Sequence, residues 1–314
     1  TRQDTGIYIL ILAGSQVLGN LTLWPYLRHS VERPNWRQLN LFRHLRPSLA
    51  LFVPQIATTV YLALNKTMLW QMDSLTAAGF YDYSDKLIKL VLALVTATGT
   101  VMLPHIANLF MKQQLERVKQ YLYMSFDFVL AIAIPMALGV AAVATTLAPL
   151  FFGRAFWAVD RLLMIEAPVI ILIGMSNVLG QQFLLPTKQT KTYTISVTIG
   201  ALVNIACNIP LIWFWGVAGA MCATLISEVC VTGYQLFITR HVLHAQSLFT
   251  GIWKYTLAGG LMFTFVFRLN VTMTASYLNL CLQIGVGVLL YLGLILLLQP
   301  PVLRNAIKLR NNLH

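Results

Sequence analysis

Two long apolar segments that carry polar residues at helical spacing constrain the fold of this chain more than any other feature. They are LALFVPQIATTVYLALNKTMLWQM, which begins at Leu49, and LIKLVLALVTATGTVMLPHIANLF, which ends at Phe110. A helix of about 20 apolar residues crosses ~30 Å of hydrocarbon, because each residue adds about 1.5 Å. The sequence therefore predicts two neighbouring transmembrane helices, joined by the short acidic turn DSLTAAGFYDYSDK.

The polar residues of each segment recur every three or four positions, so they share roughly one helical face. A helix that only anchors the chain in lipid would be apolar on every face. A polar face is instead typical of a helix that lines a water-filled cavity. We predict that a substrate contacts this wall. Its residues are Gln55, Thr59, Asn65 and Lys66 in the first segment, and Lys86, Lys89, Thr96 and Thr100 in the second, with Lys86 the weakest member.

Composition also indicates a membrane protein. Hydrophobic residues make up 58% of the chain and charged residues 10%, against roughly 45–50% and about 25% in soluble domains. The formal charge of +12 comes mostly from Lys and Arg in the connections, so it reports membrane topology and predicts no nucleic-acid partner. The cysteines lie inside apolar spans without metal-ligand spacing, and we expect no metal site and no cofactor.

Nine spans are expected, at about 7–27, 48–72, 87–110, 121–143, 162–185, 193–214, 217–238, 252–271 and 277–299. Basic residues concentrate in alternate connections, which places those connections and the C-terminus in the cytoplasm. The longest of them, 28–47, is rich in Arg and is interpreted as a linker between two helical lobes. Since the chain starts at Thr1 without a basic leader, it is interpreted as a fragment.

Charged residues inside spans are costly and point to function or to a partner. An ionised Lys near the middle of a membrane costs about 2.5–3.5 kcal/mol or more, so Lys66 is expected to face the cavity. Glu228 lies in the middle of a span and is either a structural partner or a coupling-ion site. Arg154 and Arg161 flank an aromatic patch, which is expected to form an interfacial belt with a weaker possibility of glycan contact.

A membrane-embedded enzyme, such as an acyltransferase or a polysaccharide polymerase, is the alternative to a transporter. Such an enzyme needs convergent acid and base groups. The chain has six His residues, none near an acid at catalytic spacing, and we expect no catalytic residues.

Two stretches are similar to one known family. The block from Ala63 to Phe110 resembles the seventh and eighth helices of Wzx-type polysaccharide repeat-unit flippases, and the block from Gln181 to Phe237 resembles their tenth to twelfth helices. These flippases belong to the multidrug/oligosaccharidyl-lipid/polysaccharide exporter superfamily, which includes the multidrug and toxic-compound exporters (MATE). The resemblance covers nearly the whole chain.

The resemblance implies an all-α, polytopic membrane protein with about nine transmembrane helices, equivalent to half of a MATE-like transporter. It assigns 1–27 to the last helix of an incomplete N-terminal lobe and 28–47 to a basic cytoplasmic linker. Residues 48–240 become a six-helix C-terminal lobe, and 241–314 become two additional helices with a basic tail. It further implies that the helices at 48–72 and 87–110 face the cleft, and that many relatives have an acidic residue at the position of Asn65.

The implied cargo is an undecaprenyl-pyrophosphate-linked oligosaccharide, moved across the bacterial plasma membrane by alternating access of two lobes around a cationic cleft. Expected partners are this lipid-linked substrate, membrane lipid, and a polysaccharide polymerase with chain-length machinery. The alternative within the superfamily is a lipid II or multidrug exporter. A chain of this length on its own is not expected to transport.

Overall fold

The computed structural model describes residues 2–22, 24–25 and 41–303, and these residues form helices and no strands. The contacts divide the chain into two units, 1–49 and 50–314. The predicted linker 28–47 lies mostly outside the described residues, as does the tail beyond 303. In chain order the α-helices are α1 Arg2–Leu21, α2 Leu41–Met72, α3 Leu75–Met111, α4 Leu115–Phe152, α5 Val159–Glu166, α6 Val169–Ser176, α7 Thr190–Thr239, α8 Ala245–Leu248, α9 Ile252–Thr272 and α10 Tyr277–Leu298, with a 3₁₀ helix at Arg154–Phe156 and a π-helix at Asn177–Leu184.

Helix α3 begins much earlier than the sequence predicted. The expected acidic turn of 73–86 shrinks to Asp73 and Ser74, because Ser74 caps the helix by accepting a hydrogen bond from the Ala77 backbone N–H at 3.0 Å. Two acid–lysine pairs four residues apart, Asp82–Lys86 and Asp85–Lys89, stabilise the helix across the predicted start, as such spacing does in helices generally. The predicted start at residue 87 was therefore wrong by about three turns.

Helix α7 contains the two predicted spans 193–214 and 217–238, which meet at Gly216. This glycine has φ 53° and ψ −130°, a conformation that interrupts the helix and that side chains with a Cβ rarely adopt. The two halves then pack closely, and Ser227 Oγ donates to the backbone carbonyl of Gly200 at 2.9 Å. Small residues allow this close approach, and Gly200, Gly219 and Ala223 are buried.

Helix α4 lies at the centre of the second unit and packs against α3, α5, α6, α9 and α10. Its buried face carries Leu122, Phe126, Leu130 and Ile134, each at most 3% exposed. Helix α9 is also fixed to α4 by the buried Asn270, whose amide donates to the Ala142 carbonyl at 2.9 Å. These contacts set the positions of the cavities described below.

Within the described residues, five helical segments are long and apolar enough to cross a membrane: Leu75–Met111, Leu115–Phe152, Val159–Leu184, Thr190–Thr239 and Tyr277–Leu298. The segment Thr190–Thr239 accounts for two of the nine predicted spans. The spans expected at 7–27, 48–72 and 252–271 coincide with α1, α2 and α9, helices of lower apolarity. Large apolar side chains remain exposed on these helices, as lipid-facing surfaces require.

Candidate functional site

Three lysines and two aspartates meet where α2 ends and α3 begins. The short connection at Asp73–Ser74 turns the chain back, which brings Lys66 of α2 beside Asp82 of α3, and the two form an ion pair. Lys86 Nζ reaches the other carboxylate oxygen of Asp82 at 2.6 Å, so this acid bridges two ammonium groups. We call Lys66, Asp82, Asp85, Lys86 and Lys89 the charged cluster.

The second ion pair of the charged cluster lies one turn further along α3. Lys89 Nζ is 2.6 Å from Asp85 Oδ2, and the aspartate side chain is 7% exposed while the lysine is 43% exposed. Glu166 of α5 lies within electrostatic range of both residues and is itself buried. Among the described residues, Glu166 Oε2 has no hydrogen-bond partner.

Each lysine of the charged cluster forms an ion pair, and each remains partly accessible to solvent. Their side chains are 40%, 59% and 43% exposed, for Lys66, Lys86 and Lys89 respectively. The sequence predicted a cationic wall, whereas the structure gives each lysine a carboxylate. Exposed ion pairs stabilise a protein by only about 0–1 kcal/mol. An anionic ligand for these lysines competes with Asp82, whose ion pairs are partly exposed and weak. Separating Lys89 from the buried carboxylate of Asp85 costs more.

Asn65 lies on a different face of α2 and is fully buried. Its Nδ2 donates to Tyr81 Oη at 2.8 Å and to Thr224 Oγ1 at 3.3 Å, and its Oδ1 accepts from Asn208 Nδ2 at 2.6 Å. Asn208 Nδ2 also donates to Asn204 Oδ1 at 2.9 Å. These five residues, the buried amide network, join α2, α3 and both halves of α7. In this conformation Asn65 holds helices together, and contact with a substrate stays a prediction for it.

Thr96 and Thr100 line a polar cavity of about 380 Å³ together with Glu228 of α7. The threonine hydroxyls donate to carbonyls of their own helix, to Leu92 at 3.0 Å and Ala97 at 2.7 Å, and keep acceptor capacity towards the cavity. Thr96 is seven residues from Lys89, so about 10 Å of helix separates the two sites. The predicted polar face of α3 thus divides into the charged cluster and a separate polar cavity that carries an acid.

The π-helix supplies another wall of the polar cavity through Asn177 and Gln181. It is tied to α4 because Ser125 Oγ donates to Gln182 Oε1 at 2.6 Å, and Gln182 Nε2 donates to Asn177 Oδ1 at 3.2 Å. Short π-helical turns occur frequently at functional sites. The structure thereby brings polar groups together that are far apart in the sequence.

A second cavity, the apolar cavity, is almost wholly lined by apolar side chains. It has a volume of about 570 Å³ and lies between α3, α4, α9 and α10. Helix α3 contributes Leu87, Leu90, Val91 and Leu94, which interleave with the lysines of the charged cluster along the same two turns. The buried Gln283 of α10 is a polar member of the lining.

The remaining predicted residues are spread more widely. Thr59 and Arg161 are exposed, and the side chains of Gln55 and Arg154 lie outside the described residues. The aromatic patch near Arg161 packs against α3, with the rings of Phe156 and Tyr83 4.9 Å apart.

Sequence reasoning missed some residues of these sites. Asp82 and Asp85 were assigned to the acidic turn between two helices, although each lies four residues before a lysine, a spacing that indicates an ion pair on a helix. Asn177 and Gln181 carried no such signal, because a π-helix has no simple sequence pattern.

The part of the chain that the structure describes has five long apolar segments and a buried helical core, which indicate an all-α, multi-pass membrane protein. A family model described as "Lipid II flippase MurJ" matches residues 13–293, and the chain belongs to this family. The predicted flippase family and superfamily are confirmed, and the family is one of transporters rather than enzymes.

Two curated relatives illustrate the range of the family. The "Lipid II flippase MurJ" of Bacillus subtilis is 24% identical over 170 residues, which cover 53% of this chain and 31% of that relative. The "Probable low-salt glycan biosynthesis flippase Agl15" of Haloferax volcanii is 22% identical over 285 residues, 86% of this chain and 57% of that relative. The chain thus spans from about a third to just over half of the length of these relatives.

Solved structures support the predicted fold. "Lipid II flippase MurJ, inward closed conformation" has a TM-score of 0.66 at 20% identity and covers 85% of this chain and 53% of that one. An outward-facing multidrug resistance MATE family transporter of the same superfamily has a TM-score of 0.55 at 15% identity, covering 84% of this chain and 65% of that one. The predicted MATE-like, all-α architecture is confirmed.

Proposed function

We propose that this protein is a flippase that moves a polyprenyl-pyrophosphate-linked oligosaccharide from the inner to the outer leaflet of a bacterial plasma membrane, with its C-terminus in the cytoplasm. In this proposal the cargo is an undecaprenyl-linked repeat unit for surface polysaccharide. The observation that carries the proposal is the composition of α3 between Lys86 and Leu94. Within about two turns this helix presents two lysines of the charged cluster and four apolar residues of the apolar cavity.

The cargo has three chemically different parts, and the described cavities offer an environment for each. The polyprenyl tail suits the apolar cavity of about 570 Å³, because burial there removes hydrocarbon from contact with polar groups. The pyrophosphate suits the exposed ammonium groups of Lys66, Lys86 and Lys89, since phosphate oxygens accept strong charge-assisted hydrogen bonds. The glycan suits the polar cavity between Thr96 and Glu228.

Transport in this proposal depends on exchange of ion-pair partners. In the described conformation Asp82 and Asp85 hold the lysines in place. When the cargo enters, its pyrophosphate replaces these carboxylates as the partner of the lysines. When the cargo leaves, the lysines pair with the carboxylates again. An inside-negative potential favours outward movement of two negative charges by about 4–5 kcal/mol per 100 mV. Alternating access of two lobes then exposes the bound cargo first to the inner and afterwards to the outer side of the membrane.

Lipid II is a second candidate cargo, because the family model carries that description and a B. subtilis relative shares it. Lipid II presents the same tail and pyrophosphate, so the charged cluster and the apolar cavity fit both substrates equally. The two lipids differ in the headgroup beyond the pyrophosphate.

The test is a leaflet assay in cells whose only copy of the gene carries the change. Lys66→Gln together with Lys89→Gln should cause lipid-linked oligosaccharide to accumulate on the cytoplasmic leaflet. Lys119→Gln, which alters an ion pair in the first turns of α4, is the matched control and should leave flipping unchanged. Undiminished surface polysaccharide in the double variant would refute the role of the charged cluster. Accumulation of lipid II instead of the repeat-unit lipid would assign the second cargo.

A further inference from the structure

A further polar cavity lies at the end of the second unit where α3 connects to α4. Its volume is about 680 Å³. Three separate segments form its walls: the first turns of α4, the connection between α7 and α9, and the residue Pro301 after α10. None of the positions predicted to bind the transported cargo is part of this lining.

Helix α4 contributes one face to this cavity. Positions 116, 119–120, 123–124 and 127 follow the three-and-four spacing of a single helical stripe. The members of that stripe are Glu116, Lys119, Gln120, Tyr123, Met124 and Asp127. His244, Ser247 and Thr250 lie opposite, and the backbone N–H of His244 donates to Tyr123 Oη at 3.0 Å. The cavity is therefore a built pocket between helices and not a chance gap on one surface.

One acidic side chain in the lining of this cavity has no ion-pair partner among the other lining residues. Lys119 Nζ is 2.8 Å from Glu116 Oε1, so these two residues neutralise each other at the rim. Asp127 lies deeper, with 7% of its surface exposed. Its Oδ1 accepts a hydrogen bond from Tyr255 Oη at 2.8 Å. Within the described part of the chain, its Oδ2 is buried and has no hydrogen-bond partner.

A buried carboxylate oxygen without a donor is expensive, so the site favours a ligand that brings both positive charge and N–H groups. A metal ion is a poor match, because the described residues contain no group of three or more His, Cys, Asp or Glu side chains placed to bind one. An ammonium group is a better match, since it carries three donors and one positive charge. The cavity has room for several heavy atoms beyond the ammonium group itself.

We propose that this cavity binds a primary ammonium group through the carboxylate of Asp127, with Ser247, Thr250 and Tyr123 around it. The cavity lies at the start of α4 and the end of α7, both of which are long enough to span a membrane, and the ends of such helices lie near lipid headgroups. This position gives two sources for such a group. One is the headgroup of an ethanolamine phospholipid, and the other is a free diamine from the aqueous side. Binding of this group does not depend on the transport activity proposed above.

The test compares the thermal stability of the whole protein in nanodiscs of phosphatidylcholine and in nanodiscs that also contain phosphatidylethanolamine. The two headgroups share a phosphate and differ in the methyl groups that remove every N–H from choline. Phosphatidylethanolamine should raise the Tm by at least about 2 °C, as expected for a ligand that binds the folded state alone. Asp127→Asn should lose this rise, whereas Asp160→Asn, the same change at an acid of α5 outside this cavity, should keep it.

Two further measurements identify the source of the ammonium group and distinguish a loss of binding from a folding defect. Putrescine added to phosphatidylcholine nanodiscs should raise the Tm if the natural ligand is a free diamine. Gln120→Trp fills the mouth of the cavity without touching the carboxylate, and it should abolish either rise while leaving the Tm in phosphatidylcholine unchanged. A rise that persists in both Asp127→Asn and Gln120→Trp overturns the proposal. So does the absence of any rise with either amine in the unaltered protein.

Discussion

Asn65 and Lys66 are neighbours in the sequence but belong to environments of opposite character. Asn65 is fully buried and exchanges hydrogen bonds with neutral groups of three other helical segments. The side chain of Lys66 is 40% exposed and pairs with Asp82. Consecutive positions on a helix point about 100° apart, so α2 presents a neutral, tightly bonded face on one side and an ionic, solvated face on the other.

This difference separates the part of the site that holds the helices from the part that is free to change partners. Neutral amides can be buried at modest cost when their hydrogen bonds are made, whereas buried charges carry a large desolvation penalty. The buried amide network is suited to fixing α2, α3 and α7 in position. The charged cluster is suited to exchange at Asp82, because the ion pairs of this acid with Lys66 and Lys86 are partly exposed and weak.

The largest effect on stability is expected when Asn65, on the neutral face of α2, is replaced by leucine. Asn65→Leu removes three hydrogen bonds and leaves the buried Tyr81 and Asn208 with fewer partners. We expect the free energy of unfolding to fall by about 2–3 kcal/mol and the Tm by about 5–10 °C. Thermal unfolding of the purified protein in detergent measures this.

Thr67→Val on the same helix is the matched control for that substitution. Thr67 is exposed and its hydroxyl donates to the Ala63 carbonyl of its own helix at 3.1 Å. Its loss should change the Tm by no more than about 1–2 °C. Equal stability of Asn65→Leu and the unaltered protein would show that the buried amide network does not hold the helices together.

Much of the fold was predictable because it follows from local patterns. Apolar runs of membrane-spanning length located the helices, and Gly216 divided two of them at the predicted place. The start of α3 was predicted incorrectly, because Asp82 and Asp85 read as a solvated turn when each is in fact paired with a lysine. Acidic residues alone favour a turn, whereas acid–lysine spacing of four residues favours a helix.

The candidate site was predictable only in part, since it depends on which faces meet. The sequence placed Asn65 and Lys66 on one polar wall, and the structure separates them by burial. Thr96 and Thr100 were expected beside the lysines but share a cavity with Glu228 and the π-helix. Such groupings arise from long-range packing, which helical periodicity in one segment does not determine.

A smaller effect on stability is expected at the ionic face. Lys66→Gln should lower the free energy of unfolding by less than about 1 kcal/mol, because the ion pair with Asp82 is partly exposed. The difference from the unaltered protein should shrink further between about 0.15 and 1 M salt, since the Debye length falls from roughly 8 to 3 Å. Thermal unfolding at the two salt concentrations checks this. A loss as large as that of Asn65→Leu would mean that the two faces have the same structural role.

The smallest effect is expected at Asp82, which forms ion pairs with both Lys66 and Lys86 on the ionic face. If Asp82 competes with an anionic ligand for these lysines, Asp82→Asn removes the competitor and should tighten binding of a polyprenyl pyrophosphate by about twofold to threefold, equivalent to a few tenths of a kcal/mol. Titration of the purified protein with the labelled lipid measures the change. Asp160→Asn is the control, because Asp160 accepts from the Arg161 backbone N–H at 2.6 Å and an amide oxygen can replace that acceptor. Weaker binding in Asp82→Asn would show instead that the aspartate orients the lysines for the ligand, and the ionic face would then be as fixed as the neutral one.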